Sequence, residues 1–146
     1  MDNFKFRLQK VLDIKVKNED ESKVKYSKAQ SEKRAVEKEL EDLKLSYQKY
    51  SDTIDIEDGV ERSIVSNYLS FVSNMIEKTD NELKEKEVLV NEVRLELLNN
   101  QIERKSIEKL KENKYKLHKK EADQKEQAIN DEFGIYSYFR NVVQSI

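Results

Sequence analysis

Along the middle of the chain the apolar residues fall at Val36, Leu40, Leu43, Tyr47, Tyr50 and Ile54, a 4-3-4-3-4 spacing. That spacing keeps one narrow stripe of a helix facing a partner helix, the pattern of a coiled coil. Upstream the pattern opens well with Phe4, Leu8, Val11 and Leu12, then thins from Lys15 to Lys25, where only Val16 and Val24 are apolar. Here Glu19 with Lys23, and Glu21 with Lys25, stand at i,i+4 in the favourable order, and each pair adds roughly 0.2–0.5 kcal/mol to an exposed helix. One continuous helix with a weak patch is expected, over about 3–54.

Periodicity then stops in Asp52-Thr53-Ile54-Asp55-Ile56-Glu57-Asp58-Gly59, a run of turn formers, so a bend is expected over about 55–61. Beyond it Leu69, Ile76, Leu83, Val90 and Leu97 recur every seven residues, with Val72, Thr79, Lys86 and Val93 three places after the first four. A second helix is expected over about 62–132. Its register is expected to slip around Asn99 to Arg104, with a local unwinding or bend, before resuming at Ile107, Leu110, Leu117 and Ala128. The fold class is therefore all-α: two long helices in an antiparallel coiled-coil hairpin, a single domain. Antiparallel pairing about Gly59 sets Phe4 opposite Glu112, so a C-terminal helical overhang is left from about Lys114. It ends in an apolar tail, 133–146, carrying Phe133, Ile135, Tyr136, Tyr138, Phe139, Val142, Val143 and Ile146 but only one charge.

Composition sharpens this picture. The 146 residues are 40% charged and 36% hydrophobic, too polar for a compact globule but normal where the core is a narrow seam. There is no Pro and there are only two Gly, at Gly59 and Gly134, so few breaks and long elements follow. Disorder would remove the apolar periodicity, which is instead sustained. Acidic and basic residues number 30 and 28, mixed along the length, so no basic stripe exists to release counterions from phosphates, and nucleic acid is excluded as an expected partner. No window approaches the ~18 apolar residues of a spanning helix and the N-terminus is not a signal peptide, so neither membrane insertion nor secretion is expected. Without cysteine there is no disulfide, and the cytoplasm is the default compartment.

Candidate chemistry is sparse. A two-helix hairpin has no dry concave pocket in which catalytic groups converge, so no enzyme and no cofactor is expected. His118 is the single histidine; a zinc site built on it would need three carboxylates, and a solvated or seam-edge role is the simpler reading. The cluster Glu37, Glu39, Glu41 and Asp42 sits beside lysines at helical spacing and reads as a solvated face. More informative is a stripe beside the seam. With Leu69, Val72 and Ile76 at core positions, Tyr68, Phe71 and Met75 share a neighbouring face outside it. An exposed aromatic and Met cluster marks an interface. The alternative is that the first helix covers it through Tyr47 and Tyr50.

Phe4-x-Phe6-x-Leu8-x-x-Val11-Leu12, a Tyr-rich end of the first helix, a Gly-containing bend and Asn67-Tyr68-x-x-Phe71-Val72 together resemble the flagellar export protein family FliJ over most of the chain. The resemblance implies a soluble component of the flagellar type III export apparatus, similar to the central stalk of rotary ATPases. It serves flagellum assembly and hence motility and chemotaxis, and lies at the cytoplasmic face of the cell membrane at the flagellar base. Its implied partners are the hexameric export ATPase FliI, which receives the end bearing the termini, the export gate protein FlhA, and flagellar substrate chaperones. The family's gate-facing surface matches Leu43, Tyr50, Phe71 and Met75, with Tyr47 and Tyr68 adjoining; Glu39 stands where the family has Gln, and Ser46 where it has Tyr. The ring-facing residues implied are Phe133, Ile135, Tyr136, Tyr138, Phe139, Val142 and Val143. A free-standing coiled-coil holdase, or a structural spacer, is the competing expectation. A holdase would need a body through which to oligomerise, and a spacer would need neither the stripe nor the tail.

Overall fold

The computed structural model describes residues 3–53 and 58–145. It contains two helices, α1 (Gln9–Ser51) and α2 (Gly59–Gln144), packed against each other as an antiparallel hairpin, with no strand among the described residues. No Pro interrupts either helix, and their Glu, Lys, Leu and Gln content favours helical backbone at every turn. Residues 3–6 precede the first helix without regular structure and 7–8 form a turn, so α1 starts at Gln9 rather than near residue 3. At its other end the Thr53 hydroxyl donates to the Tyr50 carbonyl at 2.7 Å, taking up one of the carbonyls a helix end leaves open.

The expected turn residues Ile54 to Glu57 lie outside the described residues, but Gly59 does not act as a turn glycine. It is the first residue of α2 and its φ is not positive. Asp58 ends the bend instead: its Oδ1 accepts from the Val60 amide at 3.0 Å and its carbonyl from Arg62 at 2.9 Å, the N-cap arrangement. The helix therefore begins at residue 59, and 59–61 belong to it. At the far end α2 continues to Gln144, so the apolar tail is the last part of this helix.

The seam is more regular than its apolar residues suggest. On α1, with Leu8 just before it, the inward positions, each buried or half-buried, run Leu8, Leu12, Lys15, Glu19, Ser22, Tyr26, Ala29, Lys33, Val36, Leu40 and Leu43 in a 4-3 alternation. On α2 they run Val65, Leu69, Val72, Ile76, Thr79, Leu83, Lys86, Val90, Val93, Leu97, Asn100, Arg104, Ile107 and Lys111 in the same rhythm. The slip and unwinding expected around Asn99 to Arg104 do not occur: α2 is helical throughout, and Asn100 and Arg104 occupy the seam positions. Val16 and Val24, the two apolar residues of the weak patch, point away from the seam and are exposed.

The chain divides into two units. In the unit Lys17–Gln101, the two helices are joined by Leu40, Leu69, Val72 and Thr79 in the core, and by the ion pairs Lys25–Glu96 at 3.3 Å and Lys86–Glu32 at 3.4 Å. Burial of each Leu or Val side chain contributes about 1.5–3 kcal/mol. Glu19 pairs with Lys23 at 3.4 Å as its spacing suggests, whereas Lys25 turns to Glu96 and Glu21 to Lys17.

In the unit Met1–Val16 with Ile102–Ile146, Phe4 packs edge-on to Tyr115 and tilted on His118, both at 5.4 Å between centroids, about one turn beyond the Glu112 that sequence symmetry places opposite it. Lys15–Glu103 at 2.9 Å and a hydrogen bond from Lys111 to the Gln9 side-chain oxygen at 2.7 Å tie the same pair. From Lys119 to Gln144 every residue of α2 is exposed: the overhang has no partner within this unit.

Candidate protein-binding surfaces

Two exposed apolar surfaces stand out, one in each unit. The first lies near the bend end of the 17–101 unit. Leu43 and Met75 are half-buried, Tyr47, Tyr50 and Tyr68 are exposed by about two-fifths, and Phe71 by 61%. The reason is helical geometry: Leu69 and Val72 hold the seam, so Tyr68 and Phe71, one residue before each, are turned to its flank. Tyr50 and Tyr68 meet edge to face across the two helices at 4.9 Å, and Lys49 lies 5.6 Å over the Tyr50 ring. Such a pair is a favourable quadrupole contact that keeps one face of each ring open.

The first helix therefore covers part of the stripe, through Tyr50 on Tyr68, and leaves Phe71 uncovered. Ile64 and Val65 join the two tyrosines in lining a shallow groove. Val60 and Leu45, which spacing did not single out, are also exposed. Periodicity put Tyr47 and Tyr50 in the seam, and they stand at its edge, which reconciles a core spacing with an outward face.

The second surface is the end of the overhang. Phe133, Ile135, Tyr136, Tyr138, Phe139 and Val143 are each more than half exposed, and Val142 is exposed by 38%. Tyr138 and Phe139 contact each other at 6.0 Å. At 100° per residue Ile135, Tyr138, Phe139 and Val142 share one face with Tyr136 and Val143 beside it. Ser137, Asn141, Gln144 and Gly134 lie opposite. Ile146 lies outside the described residues.

A third region, which spacing did not bring forward, is a recess where Phe4, Phe6 and Leu8 face Leu110, Leu117 and His118. Its signal was the Phe4-x-Phe6-x-Leu8 alternation, which suits an extended strand of chain laid on a helix better than a first helical turn. His118 is half-buried there against Phe4. Among the described residues no three His, Asp or Glu side chains converge as a metal site would require. Nor is any of their helices long and apolar enough to cross a membrane. At Glu112 a hydrogen bond from Lys116 at 2.9 Å, with the charge of Lys109 next, holds the carboxyl below the ordinary glutamate range.

Fold and surfaces together define an all-α coiled-coil hairpin that carries exposed apolar side chains in both units. The chain belongs to the flagellar FliJ protein family, whose model matches residues 4–142, and it is accordingly a component of flagellar export. No curated protein and no solved structure matches it.

Proposed function

We propose that this chain is a non-catalytic stalk and adaptor of the flagellar type III export apparatus. It binds the hexameric export ATPase FliI through the apolar end of its overhang, binds the export gate protein FlhA through the stripe beside the seam, and assists delivery of chaperones and their export substrates. It acts at the cytoplasmic face of the membrane as a peripheral component.

The observation that carries this reading is the pair of exposed apolar surfaces in a chain of this family. Phe71 with Tyr68 forms one, and Phe133 to Val143 the other. Aromatic and Met side chains bury large area at low cost in conformational freedom, which is what a contact surface needs. An apolar helix end has no fixed ion-pair geometry, so it can sit against any of several equivalent subunits of a ring.

The test uses the full chain and two variants, Phe71→Ala with Met75→Ala, and a truncation after Glu132. Each is co-sedimented with the ATPase hexamer and, separately, titrated with the cytoplasmic domain of the gate protein. The first variant is expected to lose gate binding at least tenfold and keep the ATPase, and the truncation to do the reverse. If neither variant alters either interaction, the assignment of surfaces to partners is wrong. Binding of unfolded clients in preference to both would favour the holdase reading.

A further inference from the structure

Polar residues interrupt the seam of the 17–101 unit at one place where the half-buried Asn100 meets the buried Ser22 across the helices. Ser22 is exposed by only 2% and the neighbouring Glu19 by 3%. The Asn100 side-chain amide donates to the Ser22 hydroxyl and, at 3.4 Å, to the Asn18 carbonyl. Glu19 accepts from Lys23 at 3.4 Å.

An amide and a hydroxyl paired in a coiled-coil seam contribute less stability than apolar side chains of the same size, and their best-attested role is to specify register. The alternatives to be excluded are slips of seven residues, since a 4-3 pattern looks the same after each heptad. On α1 the positions one heptad either side of Ser22 are Lys15 and Ala29. An ammonium carries no acceptor and a methyl neither donor nor acceptor, so neither can receive the Asn100 amide. On α2 the corresponding neighbours of Asn100 are Val93 and Ile107, which cannot serve Ser22. The match therefore occurs once: each slipped pairing takes the side-chain acceptor away from the Asn100 NH2 group and sets Ser22 against Val93 or Ile107.

We propose that the Asn100–Ser22 contact sets the register in which the two helices of this unit pair, and that it does so at the expense of stability. The remaining seam polar residues differ in kind: Thr79, exposed by 2%, sits among the apolar layers without an amide to place.

The chain has no cysteine, so register can be read with introduced pairs. Lys25→Cys with Glu96→Cys reports the native pairing, because these residues form an ion pair across the helices. Lys25→Cys with Leu89→Cys, or with Glu103→Cys, reports a slip of one heptad in either direction. A short bis-maleimide is applied to each pair in three full-length backgrounds: unchanged, Ser22→Ala with Asn100→Leu, and Thr79→Val. Thermal melting is followed by circular dichroism.

In the Ser22/Asn100 background the melting temperature is expected to rise while the ratio of native to slipped cross-link falls about tenfold. Thr79→Val is expected to raise melting and leave the ratio unchanged. An unchanged ratio in the Ser22/Asn100 background, whichever way melting moves, would overturn the proposal, because the contact would then be structural only. So would an equal fall in the Thr79→Val background, which would assign register to seam polarity in general.

Discussion

Neighbouring residues on α2 differ sharply in what they do. Leu69 is 6% exposed and Phe71, two places on, 61%, although Phe is the larger and more apolar side chain. Direction on the helix, and not hydrophobicity, decides which of them holds the hairpin together. Leu69→Ala is expected to cost about 2–3 kcal/mol by urea denaturation, as truncation of a packed side chain does. Phe71→Ala is expected to stay within about 0.5 kcal/mol. Equal costs would mean that Phe71 is packed.

A smaller effect belongs to Glu112, held below the ordinary glutamate range chiefly by the hydrogen bond from Lys116. A depressed carboxyl stabilises above its unfolded-state pKa, and that contribution disappears as pH falls through the lower folded value. Lys116→Gln should therefore move the Glu112 titration upward in a carboxyl-carbon NMR experiment; no movement would assign the shift to Lys109 alone.

At the scale of the elements, how much could be read from the sequence depended on which residues filled the seam. The apolar heptads from Leu69 to Leu97 announced α2, and those from Val36 to Tyr50 announced the end of α1, because Leu, Val and Ile were the residues doing the packing. Between Lys15 and Lys25, and again at Asn99 to Arg104, the 4-3 alternation persists but is carried by Lys15, Glu19, Ser22, Asn100 and Arg104. A reading that counts only apolar residues finds a weak patch and a register slip there. Counting positions regardless of polarity restores the rhythm. Gly59 misled for a related reason: a glycine near a bend suggests the turn, while the capping carboxylate of Asp58 is what starts the helix.

The two candidate surfaces were legible as apolar residues off the seam. The packing of Tyr50 on Tyr68, and of Phe4 on His118, was not, because it depends on a pairing register that composition does not fix.

The overhang is the element with the least support. An isolated helix in water is marginal unless tertiary contacts hold it, and from Lys119 onward no side chain is buried. Amide hydrogen exchange is expected to be faster over 119–144 than over 65–97 by several orders of magnitude, since opening there breaks no packing. Gly134 sits inside this stretch with nothing within 4 Å of where a Cβ would lie. Gly134→Ala should thus slow exchange in the adjoining turns, Ala being favoured over Gly in a helix interior by about 1 kcal/mol. Unchanged exchange would show that the backbone at Gly134 is already held by something other than its own helix propensity.

For the molecule as a whole, the question is what a long, exposed, apolar helix end is for, since stability gives no reason to keep it. Each of Phe133, Ile135, Tyr136, Tyr138, Phe139 and Val143 is more than half exposed. Burying side chains of this kind against a partner contributes ~1.5–3 kcal/mol each before the costs of association. A few of them suffice for a specific contact, and leaving them in water invites self-association. Deleting residues 133–146 is therefore expected to leave the melting of the paired helices within about 1 kcal/mol, because no buried side chain is lost. On the function proposed above, the same deletion should abolish binding to the export ATPase hexamer while binding to the gate persists. The two readouts separate the alternatives. A large loss of stability would make the tail part of the fold, packed in a way its exposure denies. Unchanged binding of the ATPase would remove the tail from the proposed ring contact and turn attention to the recess formed by Phe4, Leu110, Leu117 and His118 in the same unit.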